Sequence, residues 1–234
     1  MPNTVRPRTV RPKTATKTSP QSALPGLGPS AGPSFDLENR LGCRVAGLDE
    51  AGRGAWAGPV VAAAVVLNPA RTPAGINDSK KLSKKRRAAL FDQIMDQAEV
   101  GIGQASAEEI DDMNILAASF LAMDRALANL VVPPAHLLVD GNQDPRLSLP
   151  TSCIVKGDGI SLSIAAASII AKVTRDRIIA EAARDYPDYG WEKNAGYGTA
   201  QHQQALKLVG ITPLHRKSFA PIHKLLYQES PLRH

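Results

Sequence analysis

The chain has 234 residues, a formal net charge of +6 and a pI near 9.4, and it is 43% hydrophobic but only 4% aromatic. That length suits one large domain or two small ones, and the basic balance suits a polyanionic partner without requiring one. Two cysteines exclude a disulfide scaffold or a cysteine-built zinc site, and no run approaches the roughly 18 apolar residues of a membrane span.

Residues 1–40 hold seven of the 18 prolines and five basic residues (Arg6, Arg8, Arg11, Lys13 and Lys17) before the first acid, Asp36. They have almost no apolar periodicity and lack the apolar stretch of a secretory signal. Such a segment buries too little surface to offset its ordering entropy, so a disordered basic tail is expected. It adds non-specific affinity for nucleic acid, is a dispensable extension, or, being basic, rich in Ser and Thr and poor in acids, is a transit peptide. A soluble, cytoplasmic protein is the corresponding expectation, with residues 41–225 as the folded domain and 226–234 as a short C-terminal tail.

Arg44–Asp49 and Pro59–Leu67 read as buried strands joined by a glycine turn into a hairpin. Cys43 and Cys153 both adjoin apolar runs and are expected to be buried free thiols. Ser83–Ala98 reads as a helix capped by Ser83, and Val100–Ala105 as a short strand. Ala107–Leu130 is helical in one piece or two, with Ile110, Met113, Leu116, Phe120, Met123 and Leu127 along one stripe. Pro133 and Pro134 stop it. His136–Asp140 and Thr151–Lys156 are further strands, the second followed by Gly157-Asp158-Gly159. Ile160–Tyr186 is the longest helix, and its small residues (Ser161, Ser163, Ala165–Ala167) permit close packing on a sheet. Strands and helices that alternate after a hairpin predict an α/β fold with a mixed five-stranded sheet flanked by helices.

The stretch from Val45 to Leu67, V-A-G-L-D-E-A-G-R-G-A-W-A-G-P-V-V-A-A-A-V-V-L, carries the most chemistry. Asp49 and Glu50 end an apolar run and are followed by Gly52-Arg53-Gly54. Asp140 and Asp158 end two more apolar runs, each with glycine close by. In open α/β sheets, ligands gather where strands end. Converging carboxylates repel unless a divalent cation neutralises them, and oxygen donors without His or Cys favour Mg2+ or Mn2+ over zinc. A lone Asp-Glu or Asp-Gly is commonly just a solvated turn; the repetition at three sites sets this chain apart. One difficulty is geometric: neighbours in a strand face opposite ways, so Asp49 and Glu50 share a cluster only if the backbone departs from strand geometry. Gly52 and Gly54 would allow that departure.

The segment D-E-A-G-R-G (Asp49–Gly54) resembles the signature of ribonuclease HII. D-S-K-K-L (Asp78–Leu82), V-D-G-N (Val139–Asn142), K-G-D (Lys156–Asp158), A-A-S-I-I-A-K-V-T-R-D (Ala166–Asp176), G-Y-G-T (Gly196–Thr199) and H-R-K-S-F (His215–Phe219) follow in that family's order. The resemblance covers roughly Val45 to Phe219. Arg53 between the glycines favours this type over ribonuclease HIII, as does the lack of a folded N-terminal domain.

The resemblance implies a ribonuclease H-like fold with a helical C-terminal part. It also implies a site in which Asp49, Glu50, Asp140 and Asp158 hold two divalent ions, Mg2+ or Mn2+. RNA–DNA hybrids and duplex DNA carrying single ribonucleotides would be the substrates, with no membrane partner and a monomer as the working unit. Gly52, Arg53 and Gly54 would read the ribose 2′-hydroxyl, the feature that separates RNA from DNA. Tyr197 would sense the ribose–deoxyribose junction. Lys80, Lys81 and Lys172 would contact phosphates, with Arg175 one helical turn from Lys172 also able to reach the duplex. Lys84, Lys85, Arg86 and Arg87 either extend that charge or form a solvated face. Asn142 and Ser168 would support the site through hydrogen bonds. His202 and His215 are not needed as bases, and His215 is expected to pack or to contact phosphate.

Two other readings compete. One is a metal-dependent nuclease of the same fold that acts on DNA, such as a junction resolvase; the Gly-Arg-Gly corner and Tyr197 would then have no 2′-hydroxyl to read. The other is a catalytically silent nucleic-acid-binding module, which would gain nothing from clustered carboxylates facing phosphates.

Overall fold

The computed structural model describes residues 32–228. Residues 1–31 and 229–234, and with them most of both expected tails, lie outside the described residues. The tail boundary at residue 40 is corrected, because Asp36–Leu41 forms helix α1. Its Leu37 is 1% exposed and packs with Val45, Leu138 and Ile164. Glu38 fastens the helix by accepting from the Ser161 hydroxyl at 2.6 Å and the Ser163 amide at 3.0 Å. Polar contacts of this kind leave no apolar period in the sequence, which is why the segment reads as tail. Residues 226–228 likewise belong to a helix.

Strands β1 (Val45–Ala51) and β2 (Val60–Val66) pair antiparallel, as the hairpin reading expects. β1 runs two residues past Asp49, so both acids lie within the strand. Helix α2 (Lys84–Gln97) begins at Ser83, whose hydroxyl accepts from the Arg86 amide. β3 (Glu99–Ala105) follows. The long helical region is broken into α3 (Ala107–Met113) and α4 (Ile115–Ala128) by Asn114, whose φ is 75° and whose side chain caps α4. β4 (His136–Asp140) matches its expected bounds. β5 (Thr151–Ile154) stops earlier than expected: Lys156 turns left-handed (φ 57°), and Asp158 rides a 3-10 turn, Gly157–Gly159. The expectation that three strands end in acids therefore holds at Asp140 alone.

The sheet order is β3-β2-β1-β4-β5, with β4 parallel to β1 and β5 and the other pairs antiparallel. The expected mixed five-stranded α/β architecture is present. Alternation divides the core cleanly. Ala46, Leu48, Ala62, Ala64, Leu137 and Val139 face α4, while Ala63 and Val65 face α5 (Leu162–Asp185) and α2. A Cβ on Gly47 would stand 2.1 Å from the Ser163 backbone, so α5 crosses almost on the β1 main chain. This is the close packing that the small residues of α5 predict. Burial of these aliphatic side chains, at roughly 1.5–3 kcal/mol each, is what holds the layers together.

The C-terminal part is helical: α6 (Trp191–Asn194), α7 (Ala200–Val209) and α8 (Ala220–Gln228). It gathers a second core in which Tyr189 and Trp191 stack at 5.0 Å over Ile179 and Ile222. Nearly half of the scarce aromatics are spent there rather than against the sheet. Both thiols are free, as expected, but neither is fully buried. Cys43 is exposed in the turn before β1, and Cys153 is half-buried because β5 is an edge strand.

Candidate active site

The parallel register of β1 and β4 pairs Leu48 with Val139, which sets Asp49 and Asp140 at the next step of neighbouring strands. Leu48 lies in the core against α4, so alternation turns Asp49 towards α5 and Glu50 towards α4. The backbone does not leave strand geometry at this point: Asp49 pairs with Ala63 and Glu50 with Ala62. Both acids nonetheless sense the charge of Asp140, the last residue of β4. Glu50 lines a small pocket with Arg53, Ser119, Asp140 and Asn142. The Asp140 Oδ1 accepts the Gly157 amide at 2.7 Å, which brings the Asp158 turn against the end of β4.

Electrostatics report the same convergence. Asp49 is 6% exposed, and burial together with Glu50, Asp140 and Asp158 holds its carboxyl well above the usual range, although the Glu50 amide donates to it at 2.7 Å. Burial also raises Glu50, with Asp140 adding to the rise and Arg53 opposing it at 3.2 Å. Asp158 is raised by burial, then by Asp140 and Asp78, against the pull of Lys80. Lys80 stands 3.7 Å from Asp158. Burial works against its charge, but Asp158, Asp49, Asp78 and Asp140 together raise its pKa. One ammonium thus senses acids from β1, β4, the 3-10 turn and the segment before α2.

Asp78 is the acid that sequence reasoning missed. It lies in D-S-K-K-L, whose lysines carry the resemblance, and it helps to raise the Asp158 carboxyl. Within the same segment Ser168 accepts the Ser79 amide at 3.3 Å and donates to the Ala165 carbonyl at 2.8 Å, so it braces the loop rather than the acids. Arg87 serves that loop too, donating to the Ser79 and Leu82 carbonyls, and Arg86 bonds the Ala74 carbonyl. Half of the basic run at the start of α2 is therefore structural. Lys81 is exposed, with its ammonium 4.0 Å from where a Cβ on Gly159 would lie.

Beside the acids, the loop from Gly52 to Gly58 is laced to the segment around Tyr197. The Trp56 amide donates to the Gly196 carbonyl at 2.9 Å, and the Trp56 carbonyl accepts the Arg216 amide at 2.9 Å. Gly52 has φ 98°, and a Cβ there would lie 1.9 Å from Arg175 Nε. Its glycine is therefore required by the fold itself. At Gly54 a Cβ would meet only Tyr197 Cε1, at 3.8 Å, so this glycine keeps an open approach. Tyr197 is 39% exposed above it. A groove of about 400 Å3 continues from Tyr197, lined by Lys84, Arg87, Lys172, Lys193 and Asn194. Lys172 is in that groove, paired with Asp176 at 2.8 Å. Arg175 is not: it is fully buried, which corrects the expectation that it reaches the duplex. Its position in line with Ala171 and Ile179, four residues either side, is the signal that would have shown this.

His202 and His215 are buried too, at 0% and 1% exposure. The Tyr197 carbonyl can only accept, so His202 Nδ1 carries a proton at 3.0 Å from it. The Thr212 amide donates to His215 Nδ1, which leaves His215 Nε2 to donate to His202 Nε2 at 2.9 Å. Both rings are neutral and serve to hold the Tyr197 main chain. Burial, with His202 adding, pushes His215 down to about 4.

The donor set fits a hard divalent cation. Five carboxylates influence one another electrostatically, Arg53 pairs with Glu50 and Lys80 with Asp158, and Asp49 has no ion-pair partner among the described residues. Among those residues no three of the acids stand as a ready-made metal-binding group.

Comparison with known proteins decides the family. A family model described as Ribonuclease HII matches residues 46–222, a span that takes in every acid, glycine and lysine of this site. The chain belongs to the ribonuclease HII family. Curated relatives named Ribonuclease HII include that of Jannaschia sp. (strain CCS1), 59% identical over 196 residues covering 83% of this chain and 98% of the relative. That of Ruegeria sp. (strain TM1040) is 59% identical over 187 residues, covering 80% and 82%. Among solved structures, the ribonuclease H2 of Pyrococcus horikoshii OT3 matches with a TM-score of 0.66 at 29% identity, over 78% of this chain and 96% of that one. A PCNA:RNase HII complex from Archaeoglobus fulgidus matches with a TM-score of 0.61 at 27% identity, over 75% and 95%. As a ribonuclease HII, the chain is an endonuclease that cleaves RNA in RNA–DNA hybrids, and the family depends on divalent metal. Among the described residues no helix is long and apolar enough to cross a membrane.

Proposed function

We propose that this ribonuclease HII cuts on the 5′ side of a ribonucleotide, both in hybrids and at single ribonucleotides embedded in duplex DNA, leaving 3′-hydroxyl and 5′-phosphate ends. The observation that carries this reading is Asp140 at the end of β4, one strand over from Asp49 and bonded to Gly157 of the Asp158 turn, with Lys80 3.7 Å from Asp158, beside an open Gly54 and a half-exposed Tyr197. Asp49, Glu50, Asp140 and Asp158 are the donors for two divalent ions, Mg2+ or Mn2+. When bound, such ions supply Lewis-acid stabilisation of charge on the attacking and leaving oxygens.

The chain's own residues do the rest. Gly54 lets a sugar approach the main chain, and Gly52-Arg53-Gly54 presents backbone groups to its 2′-hydroxyl. Tyr197 offers a ring face to the adjoining deoxyribose. Lys80 and Lys81 neutralise phosphate at the acid end, while Lys172 does so along the groove past Tyr197. Asn142, exposed beside Glu50 and Asp140, is placed to bond the substrate strand. Neither His202 nor His215 moves a proton to substrate, since both are buried and bonded to other groups. The catalytic domain runs from α1 to α8. A monomer acting in the cytoplasm completes the reading.

Duplex DNA carrying one ribonucleotide tests it, with Mg2+, with Mn2+ and with a chelator. Cleavage 5′ to the ribonucleotide that needs the metal, together with an uncut all-DNA control, is the expected result. Cleavage of the control would favour a DNA nuclease, and binding without cleavage would leave only a nucleic-acid-binding module.

A further inference from the structure

Arg175 and Arg216 are both 0% exposed, and no carboxylate pairs with either among the described residues. Burying two guanidinium groups without counter-charge is costly, so their contacts should matter. Every hydrogen bond they make goes to a main-chain carbonyl. Arg175 donates to Pro59 at 3.2 Å, Ala195 at 2.8 Å and Ala57 at 3.1 Å. Arg216 donates from Nε to Gly58 at 3.0 Å and from Nη1 to Arg53 at 2.9 Å. Its Nη2 has no partner.

The bond to Arg53 has a stereochemical consequence. In a planar trans peptide the C=O and the following N–H point in opposite directions. Holding the Arg53 carbonyl inward on Arg216 therefore turns the Gly54 N–H outward. No group among the described residues accepts that N–H. The approach to Gly54 is itself open, since a Cβ there would find only the Tyr197 ring, at 3.8 Å. A neutral donor could hold one carbonyl; the planar fork of arginine holds those of Arg53 and Gly58 together and so fixes both ends of the loop.

We propose that Arg216 is a positioning residue for ribose recognition: by anchoring the Arg53 carbonyl it aims the Gly54 N–H at the 2′-hydroxyl of the substrate. The inference rests on the reading that the Gly52–Gly54 corner contacts that hydroxyl. Arg216 touches no substrate atom and acts through the peptide it orients.

The test is a double-mutant cycle on the full chain with Gly54→Ala and Arg216→Lys. It reads kcat and KM on duplex DNA with one ribonucleotide, affinity for the all-DNA duplex, and melting temperature. Each single change is expected to lower kcat by about 10–100-fold, with all-DNA affinity within about twofold of the parent. The double variant should lose no more than the worse single, because both remove the same contact with the 2′-hydroxyl. Losses that multiply would overturn the inference, as would wild-type kcat in Arg216→Lys. If Gly54→Ala itself cleaves normally, the ribose-reading corner fails and this role falls with it. If Gly54→Ala is impaired and Arg216→Lys is not, only the role of Arg216 falls. Should Arg216→Lys not fold, the unaltered protein supplies the answer through the Gly54 amide resonance. Titrated in chelator, that resonance should shift with the ribonucleotide duplex and not with its all-DNA counterpart, and equal shifts would overturn the proposal.

Discussion

Asp140 and Gly157 are joined by a 2.7 Å hydrogen bond from amide to carboxylate, which ties the Asp158 turn to the end of β4. Both partners are needed at close range. A Cβ on Gly157 would lie 2.6 Å from Ile164 Cδ1, 3.2 Å from Ile154 Cβ and 3.4 Å from Asp140 Oδ1. Gly157→Ala should therefore push the turn away from the strand. The expected cost is about 1–3 kcal/mol of stability, typical of overpacking, with a larger proportional loss of cleavage. Urea denaturation and initial rates on a hybrid substrate measure the two, and unchanged cleavage would dissociate Asp158 from the site.

Burial and three like neighbours oppose the charge on Asp49. A carboxyl raised in the folded state destabilises the fold at pH values above its titration, and that penalty fades as pH falls towards the ordinary carboxylate range. Asp49→Asn keeps an oxygen to accept the Glu50 amide and removes the charge. The variant should be more stable than the parent at pH 7 by roughly 1 kcal/mol, yet lose cleavage by about 10³-fold or more. A variant that is less stable, or that still turns over, would contradict the site.

The same repulsion makes divalent ions stabilising. At 100 times the dissociation constant, Mg2+ or Mn2+ should add about 2.7 kcal/mol, or roughly 5–10 °C in melting temperature. The gain should shrink as pH is lowered and the acids take up protons instead. Calorimetry across pH 5–8, with metal and with chelator, checks this; an identical melting temperature in both would count against these carboxylates as ligands.

Gly52 and Gly54 differ in what they are for. Gly52→Ala meets a positive φ and the Arg175 guanidinium, and should destabilise the fold by about 2 kcal/mol or more. Gly54→Ala meets open space, and should melt within about 1 °C of the parent while losing cleavage. Thermal melts of the two variants side by side distinguish a fold glycine from a substrate glycine.

His215, pushed down to about 4 by burial and by His202, binds its proton more readily in the unfolded chain. Its stabilising contribution is therefore present above about pH 6.5 and lost as pH falls towards about 4, with a slope of roughly 1.4 kcal/mol per pH unit. Urea midpoints against pH for the parent and for His215→Gln should show a slope in that window that the variant lacks.

The sequence alone determined the order and type of the main elements, because alternation in strands and spacing in helices report directly which residues face an apolar layer. It also determined the family, since acids, glycines and lysines stand in a recognisable order. It could not show α1, which is held by the Glu38 carboxylate rather than by an apolar stripe, nor the exposure of Cys43. Tertiary structure alone decided how Asp49 and Glu50 cooperate. They remain on opposite faces of an unbroken strand and meet only through Asp140, which a parallel neighbour of distant sequence brings alongside. It alone revealed Asp78 beside Asp158 and placed Arg175 and Arg216 behind the glycine corner. Side-chain spacing encodes local faces, whereas charge proximity and carbonyl anchoring depend on which distant segments the folded sheet makes adjacent.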